Sequence, residues 1–204
     1  MTIIGLTGGS GTGKTTALQA LADMGAAVID CDAVYHELLA AGGPMLDEIN
    51  QRFPGVVADG TLDRKALGKI VFQDAEALAD LNAITHSHVC WEVDEQLAAL
   101  ALVGNAAPGV PHSSVVAIEA IALIESGLAE RCDTVIGVLA PKSARIQRIT
   151  AREGIDPAYA TARIESQKPD EFFQANCDYI LENDYNSPTA FTEECRRYFN
   201  QIIK

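Results

Sequence analysis

Eight residues near the start of the chain, Gly8 to Thr15, read GGSGTGKT and match G-x-x-x-x-G-K-[ST] in full. These residue types at this spacing suit a phosphate chain. The glycines let successive backbone N–H groups turn inward around a pyrophosphate, Lys14 reaches the β and γ phosphates, and the Thr15 hydroxyl can hold a magnesium ion. Gly9, Ser10, Gly11, Thr12, Gly13, Lys14, Thr15 and Thr16 are therefore the candidate phosphate contacts. A glycine-rich turn without a ligand is the alternative. Against it, a lysine pointed into a nest of bare N–H groups has no structural purpose without an anion.

Two aspartates follow one helix later, in the string VIDCDAV. Phosphoryl transfer to an alcohol needs the γ-phosphate, a metal and the acceptor oxygen in line, with negative charge neutralised. Asp32 could orient the acceptor hydroxyl and accept its proton. Asp30 is better placed for the magnesium shell, through water. An aspartate at a strand end also serves as a helix N-cap, and the pair can divide the two roles. Cys31 stands between them.

A third group is basic. Lys142, Arg145, Arg148, Arg152, Arg163 and Lys168, six of the fifteen Lys and Arg, fall within 27 positions and make a local anion site on an acidic chain. Lys142 and Arg145 read as a solvated helix face. Arg148 and Arg152 are four apart, share a face, and can reach the same phosphates. The segment reads as a lid that brings Arg148, Arg152 and Arg163 onto the transferring phosphoryl group and excludes water.

The elements that must position these groups alternate as in an α/β fold. Short apolar runs at Ile3–Thr7, Ala27–Ile29 leading into Asp30, Ser114–Ile118, Thr134–Leu139 and Tyr179–Leu181 lack strict alternation, the pattern of strands buried on both faces of a parallel sheet. Thr16–Met24 supplies the helix after the loop, closed by Gly25. After a turn at Asp59-Gly60, the stretch Asp63–Val103 predicts two or more helices that leave the sheet as a lobe. Asn105–Ser113 reads as a loop, Gly154, Asp156 and Pro157 bend the lid, and Ser187-Pro188 opens a helix reaching Ile203. In such sheets ligands lie beyond the carboxyl ends of the strands. That expectation sets Asp30 and Asp32 beside the loop and brings Glu119 and Glu125 to the same rim. One domain, 1–204, is expected, with a core of 1–60, 104–140 and 171–204, a helical lobe at 61–103 and a lid at 141–170.

Charge and composition narrow the partners. A net charge of −13 over 204 residues argues against a sequence-independent grip on nucleic acid. The longest apolar runs fall short of the ~20 residues of a membrane span. No basic segment precedes an apolar stretch at the N-terminus, and the five cysteines are scattered without a C-x-x-C pair, as suits reduced thiols. A cytoplasmic chain acting on small molecules, monomeric or a weak homo-oligomer, is expected.

Taken together, these strings resemble the dephospho-coenzyme A kinase family of P-loop enzymes nearly end to end. The resemblance runs from LTGGSGTGKT through G-x-x-VID-x-D at Gly25–Asp32, DGTLDRKAL at Asp59–Leu67 and L-x-x-I-T-H at Leu81–His86. It continues through the arginine lid to Gln167 and ends on D-Y-x-x-x-N at Asp178–Asn183. It implies a P-loop kinase with a five-stranded parallel sheet flanked by helices, a helical substrate-binding lobe and an arginine-rich lid. The implied reaction carries the ATP γ-phosphate, with magnesium, to the ribose 3′-hydroxyl of dephospho-coenzyme A, the last step of coenzyme A synthesis. Asp32 matches the acceptor-activating aspartate, Lys14 and Thr15 the phosphate and magnesium residues, and Arg148 the lid arginine. Asn183 falls in the segment that passes near the adenine. Arg64, His86, Glu119 and Arg163 are candidate substrate contacts, with His86 equally readable as an interior histidine. Three departures fall on the acceptor side: Ser87 in place of proline, His36 in place of arginine, and EAIALIE at Glu119–Glu125 in place of D-x-P-L-L-x-E. They keep open a related kinase with another alcohol acceptor and a nucleotide-binding regulatory homologue with weak catalysis.

Overall fold

The computed structural model describes residues 1–106, 114–185 and 187–202. Five strands, β1 (Thr2–Thr7), β2 (Ala27–Asp30), β5 (Val115–Glu119), β6 (Thr134–Leu139) and β7 (Tyr179–Glu182), form one parallel sheet in the order β2-β5-β1-β6-β7. All five expected strands are present within a residue or two of their expected ends. The first strand is central: Leu6 stands level with Glu119 on β5 and with Ile136 on β6. The carboxyl ends of these strands thus share one rim.

The chain divides into two compact units, Met1–Ile29 with Ala106–Lys204, and Asp30–Asn105. In the first, Ile4, Leu6, Ala117, Ile136 and Val138 pack on one sheet face against Leu18 and Leu21 of α1 (Lys14–Asp23) and Phe191 and Phe199 of α9 (Pro188–Ile202). Gly5 faces the other side, where an added Cβ would come within 2.6 Å of Leu123 Cδ2; the missing side chain lets the segment after β5 close onto the sheet. Two carboxylates anchor the strands outside the ladder. Asp133 accepts from the Ile3 N–H at 2.7 Å and Asp178 from the Val135 N–H at 2.8 Å. Helix α1 ends as expected on a left-handed glycine: Gly25 has φ 94° and donates its N–H to the Ala22 carbonyl.

The basic segment folds as α6 (Lys142–Glu153) and α7 (Pro157–Glu165), followed by α8 (Asp170–Asn176). Gly154 stops α6 at φ 67°, Asp156 caps α7 through the Ala158 N–H, and Pro157 takes its first position, so the expected bend has a residue-level cause. Ile149, Ala160 and Ile164 pack the two helices together.

The second unit is helical, with α2 (Cys31–Ala41), α3 (Pro44–Arg52), α4 (Arg64–Val71) and α5 (Ala75–Ala106) around Leu39, Ile49, Phe53, Leu67 and Ile84. It begins at Asp30, about thirty residues before the lobe boundary read from the sequence, because a helix starts directly at the end of β2. Between α3 and α4, β3 (Val57–Ala58) and β4 (Thr61–Leu62) form a hairpin whose turn is Asp59-Gly60. Both turn residues have positive φ, 50° and 72°, as a two-residue hairpin turn requires. Most of the expected Asn105–Ser113 loop, and the expected helix end at Ile203, lie outside the described residues.

Candidate active site

The phosphate loop leaves β1 after Thr7 and enters α1 at Lys14. Gly8, Gly11 and Gly13 have φ of 140°, 78° and 109°, and a Cβ on Gly8 would lie 2.2 Å from the Val138 carbonyl oxygen. Inside the turn, the Gly9 carbonyl accepts from Thr12 Oγ1 at 2.9 Å and from Lys14 Nζ at 3.4 Å. Lys14 Nζ also lies 3.6 Å from Glu119 Oε1, with both side chains about nine-tenths buried. Glu119 is brought there by its register with Leu6. Helix α1 starts with no side-chain acceptor on its first N–H groups, which leaves that end suited to an anion.

A second layer grips the loop from outside. Arg145 donates Nε to the Ser10 carbonyl at 2.9 Å and NH2 to Gln167 Oε1 at 3.0 Å, with Asp170 3.7 Å from NH1. The same Gln167 oxygen accepts the Ser10 N–H at 2.9 Å, and Gln167 Nε2 donates to Ser10 Oγ at 2.7 Å. Arg148 donates to the carbonyls of Gly11, Thr12, Asn183 and Tyr185 and to Asn183 Oδ1, at 3.0 to 3.4 Å. Asn183, at the carboxyl end of β7 and buried, donates Nδ2 to the Thr12 carbonyl at 2.8 Å. Burial pulls both guanidinium pKa values below the ordinary arginine value, and Asp170 opposes the shift at Arg145.

Arg145 overturns its reading as part of a solvated face: it is 5 % exposed. The available signal was spacing, since Arg145 precedes Arg148 by three residues and so shares its face. Gln167, Asp170 and Tyr185 were not singled out as site residues either; their partners are more than twenty residues away in the chain, so no local pattern marks them. Lys142 does lie on an exposed face, paired with Glu165 at 2.6 Å.

The remaining arginines stand elsewhere. Arg152 and Arg163 both pair with the Glu153 carboxylate, at 2.6 and 2.7 Å, on the outer side of the α6–α7 pair. The structure thus does not set Arg152 beside Arg148 at the loop, because four residues along α6 the chain is already exposed. Thr15 is exposed and Thr16 half-buried in the first turn of α1.

In the helical unit, Asp30 Oδ1 accepts the N–H groups of Asp32 and Ala33 and caps α2. Asp32 is exposed in the first turn of that helix, and the Cys31 side chain is buried. Arg64 donates to His36 Nδ1 at 3.1 Å. An arginine only donates, so as a hydrogen bond this contact uses the ring nitrogen's lone pair. His86 is half-buried on α5.

A cleft of about 350 Å³ adjoins the loop, lined by Gly9, Ile121, Ala122, Glu125, Gln167 and Lys168 among others. Its wall includes the EAIALIE segment.

Comparison with known proteins fits this geometry. Residues 2–189 match the family model described as dephospho-CoA kinase. The dephospho-CoA kinase of Thermobifida fusca is 39 % identical over 182 residues, covering 88 % of this chain and 86 % of the relative. Among solved structures, TT1252 from Thermus thermophilus superposes with a TM-score of 0.79 at 30 % identity, covering 100 % of this chain and 98 % of the other. The dephospho-CoA kinase from Campylobacter jejuni gives 0.66 at 28 %, covering 98 % and 96 %. The chain belongs to the dephospho-CoA kinase family.

Proposed function

We propose that this chain transfers the γ-phosphoryl group of ATP to the ribose 3′-hydroxyl of dephospho-coenzyme A, giving coenzyme A and ADP. The observation that carries the reading is the glycine turn with Lys14 held between the Gly9 carbonyl and Glu119, in a chain of this family. The loop N–H groups and Lys14 bind the phosphates and offset their charge as the bridging oxygen departs. Asp32 takes the proton of the attacking hydroxyl as the new O–P bond forms. Magnesium, arriving with ATP, would neutralise phosphate charge, and the exposed Thr15 hydroxyl is the residue suited to hold it. Asp30 has one carboxylate oxygen engaged as a cap, leaving the other for a contact through water.

Arg64, His86, Glu119 and Arg163 are assigned to the acceptor, and Arg152 and Asn183 to the nucleotide. The protein is taken to work in the cytoplasm, as a monomer or weak homo-oligomer, on small molecules alone. No described helix is long and apolar enough to cross a membrane. The test is ATP-dependent conversion of dephospho-coenzyme A to a product heavier by one phosphate. A second reading, a different alcohol acceptor, is favoured by Ile121, Ala122 and Glu125, which put the departing segment in the cleft wall. Faster turnover of another hydroxyl compound would decide for it. A third, a regulatory homologue, requires ATP binding without transfer to any acceptor.

A further inference from the structure

Three consecutive carbonyls of the phosphate loop are held from outside. Ser10 O accepts from Arg145 at 2.9 Å, Gly11 O from Arg148 at 3.2 Å, and Thr12 O from Asn183 at 2.8 Å. The described residues contain no cis peptide, and in a planar trans peptide the C=O and the following N–H point to opposite sides. Carbonyls fixed outward therefore turn the N–H groups of Gly11, Thr12 and Gly13 toward the inner side of the loop. Of these, Thr12 N–H also makes a long 3.5 Å contact to Gly9 O. Consecutive inward N–H groups are what makes such a loop an anion nest, and the left-handed Gly11 and Gly13 permit it.

We infer that Arg145 is a positioning residue for the nucleotide phosphates, acting through the Ser10–Gly11 peptide plane and, with Gln167, through Ser10 as a whole. The fork of the guanidinium is what the place requires. One arm fixes the Ser10 carbonyl, and the other holds the Gln167 oxygen that takes the Ser10 N–H. Gly9 makes room for it: a Cβ there would lie 2.1 Å from Arg145 NH2. A buried guanidinium is tolerated only when it is partnered, and here Ser10 and Gln167 accept from Nε and NH2 while the Asp170 carboxylate, 3.7 Å from NH1, supplies the opposite charge. Arg145 thereby links the loop to the segment after α7 without touching the reacting atoms.

The inference rests on the reading of this loop as the ATP site, and it is tested by ATP and ADP binding at equilibrium without any acceptor. Arg145→Met removes the donors while keeping bulk, and ATP affinity is expected to fall about tenfold or more. Arg145→Lys can still reach the Ser10 carbonyl but not Gln167 as well, so part of the affinity returns, with Gln167→Ala between the two. KM for dephospho-coenzyme A stays near its original value. A merely structural Arg145 would lower the melting temperature and leave the affinity of folded protein unchanged. Wild-type ATP affinity in folded Arg145→Met overturns the inference; if that variant does not fold, wild-type affinity in both Arg145→Lys and Gln167→Ala overturns it. Arg145-dependent ATP binding in a protein that phosphorylates no dephospho-coenzyme A would sink the acceptor assignment alone.

Discussion

Asn183 Nδ2 donates to the Thr12 carbonyl at 2.8 Å, joining residues 171 positions apart. The end of β7 is thereby fastened to the phosphate loop, and the Asn183 side-chain oxygen receives Arg148 at 3.1 Å. One buried carboxamide thus serves the loop and its arginine together.

Removing that link should cost both stability and nucleotide affinity. Asn183→Ala is expected to destabilise the fold by about 1–3 kcal/mol, since it strands buried partners, and to weaken ATP binding several-fold. Denaturant titration and equilibrium binding of ATP measure the two. Intact ATP affinity would leave Asn183 a purely structural residue.

Two glycine substitutions separate site from scaffold. Gly9→Ala drives a Cβ into the Arg145 guanidinium, which must shift off the Ser10 carbonyl, and should weaken ATP binding about tenfold, as removing the Arg145 donors does. Gly154→Ala strains a left-handed residue with nothing within 4 Å, at about 1–2 kcal/mol, and should leave ATP affinity alone. Equal ATP binding in both variants would contradict the outer grip on the loop.

The strands, the loop and the α6–α7 bend were legible because each is written locally, in short apolar runs, a glycine-lysine string and a Gly154–Pro157 break. Helices α2 and α3 were not assigned: Asp30 caps α2 with no intervening loop, so strand and helix run together in VIDCDAVYHELL. The Asp59-Gly60 turn was visible, but flanking strands of two residues are too short to show alternation. Arg145 and Gln167 were misjudged for a different reason. Their roles lie in hydrogen bonds to Ser10, 135 and 157 residues away; the spacing of Arg145 to Arg148 marks a shared face, but no local pattern names a partner at that range.

Asp32→Asn keeps the side chain's shape and removes its basicity. A fall in kcat of about 10²–10⁴-fold with ATP affinity retained is expected, by steady-state kinetics and equilibrium binding. Near-normal turnover would remove Asp32 from the proton transfer.

Arg152 tests the lid. Its exposed pair with Glu153 contributes at most about 1 kcal/mol to stability, so Arg152→Ala should leave the melting temperature nearly unchanged. If Arg152 meets the phosphates during turnover, kcat falls by about tenfold or more. Unchanged kcat would assign the nucleotide to Arg148 and the loop without it.

Burial pushes the thiols of Cys132 and Cys195 up to about 12 and that of Cys177 up to about 11, with Asp133 and Asp178 adding to the shift at Cys132 and Asp178 at Cys177. An unfolded thiol releases its proton near 9, so between pH 9 and 12 the unfolded chain binds fewer protons than the folded one. Stability therefore falls as pH rises through that window. The urea midpoint should drop from pH 8 to pH 10, and Cys195→Ala should make the drop shallower; an unaltered slope would deny the thiol a part in it.

The most direct test of the central claim incubates the purified protein with ATP, magnesium and dephospho-coenzyme A, and locates any added phosphate by mass and by phosphorus–proton coupling. One phosphate on the ribose 3′ oxygen, formed only when ATP and acceptor are both present, is the predicted result. ATP binding with no phosphate transferred, or transfer to another position, would contradict it.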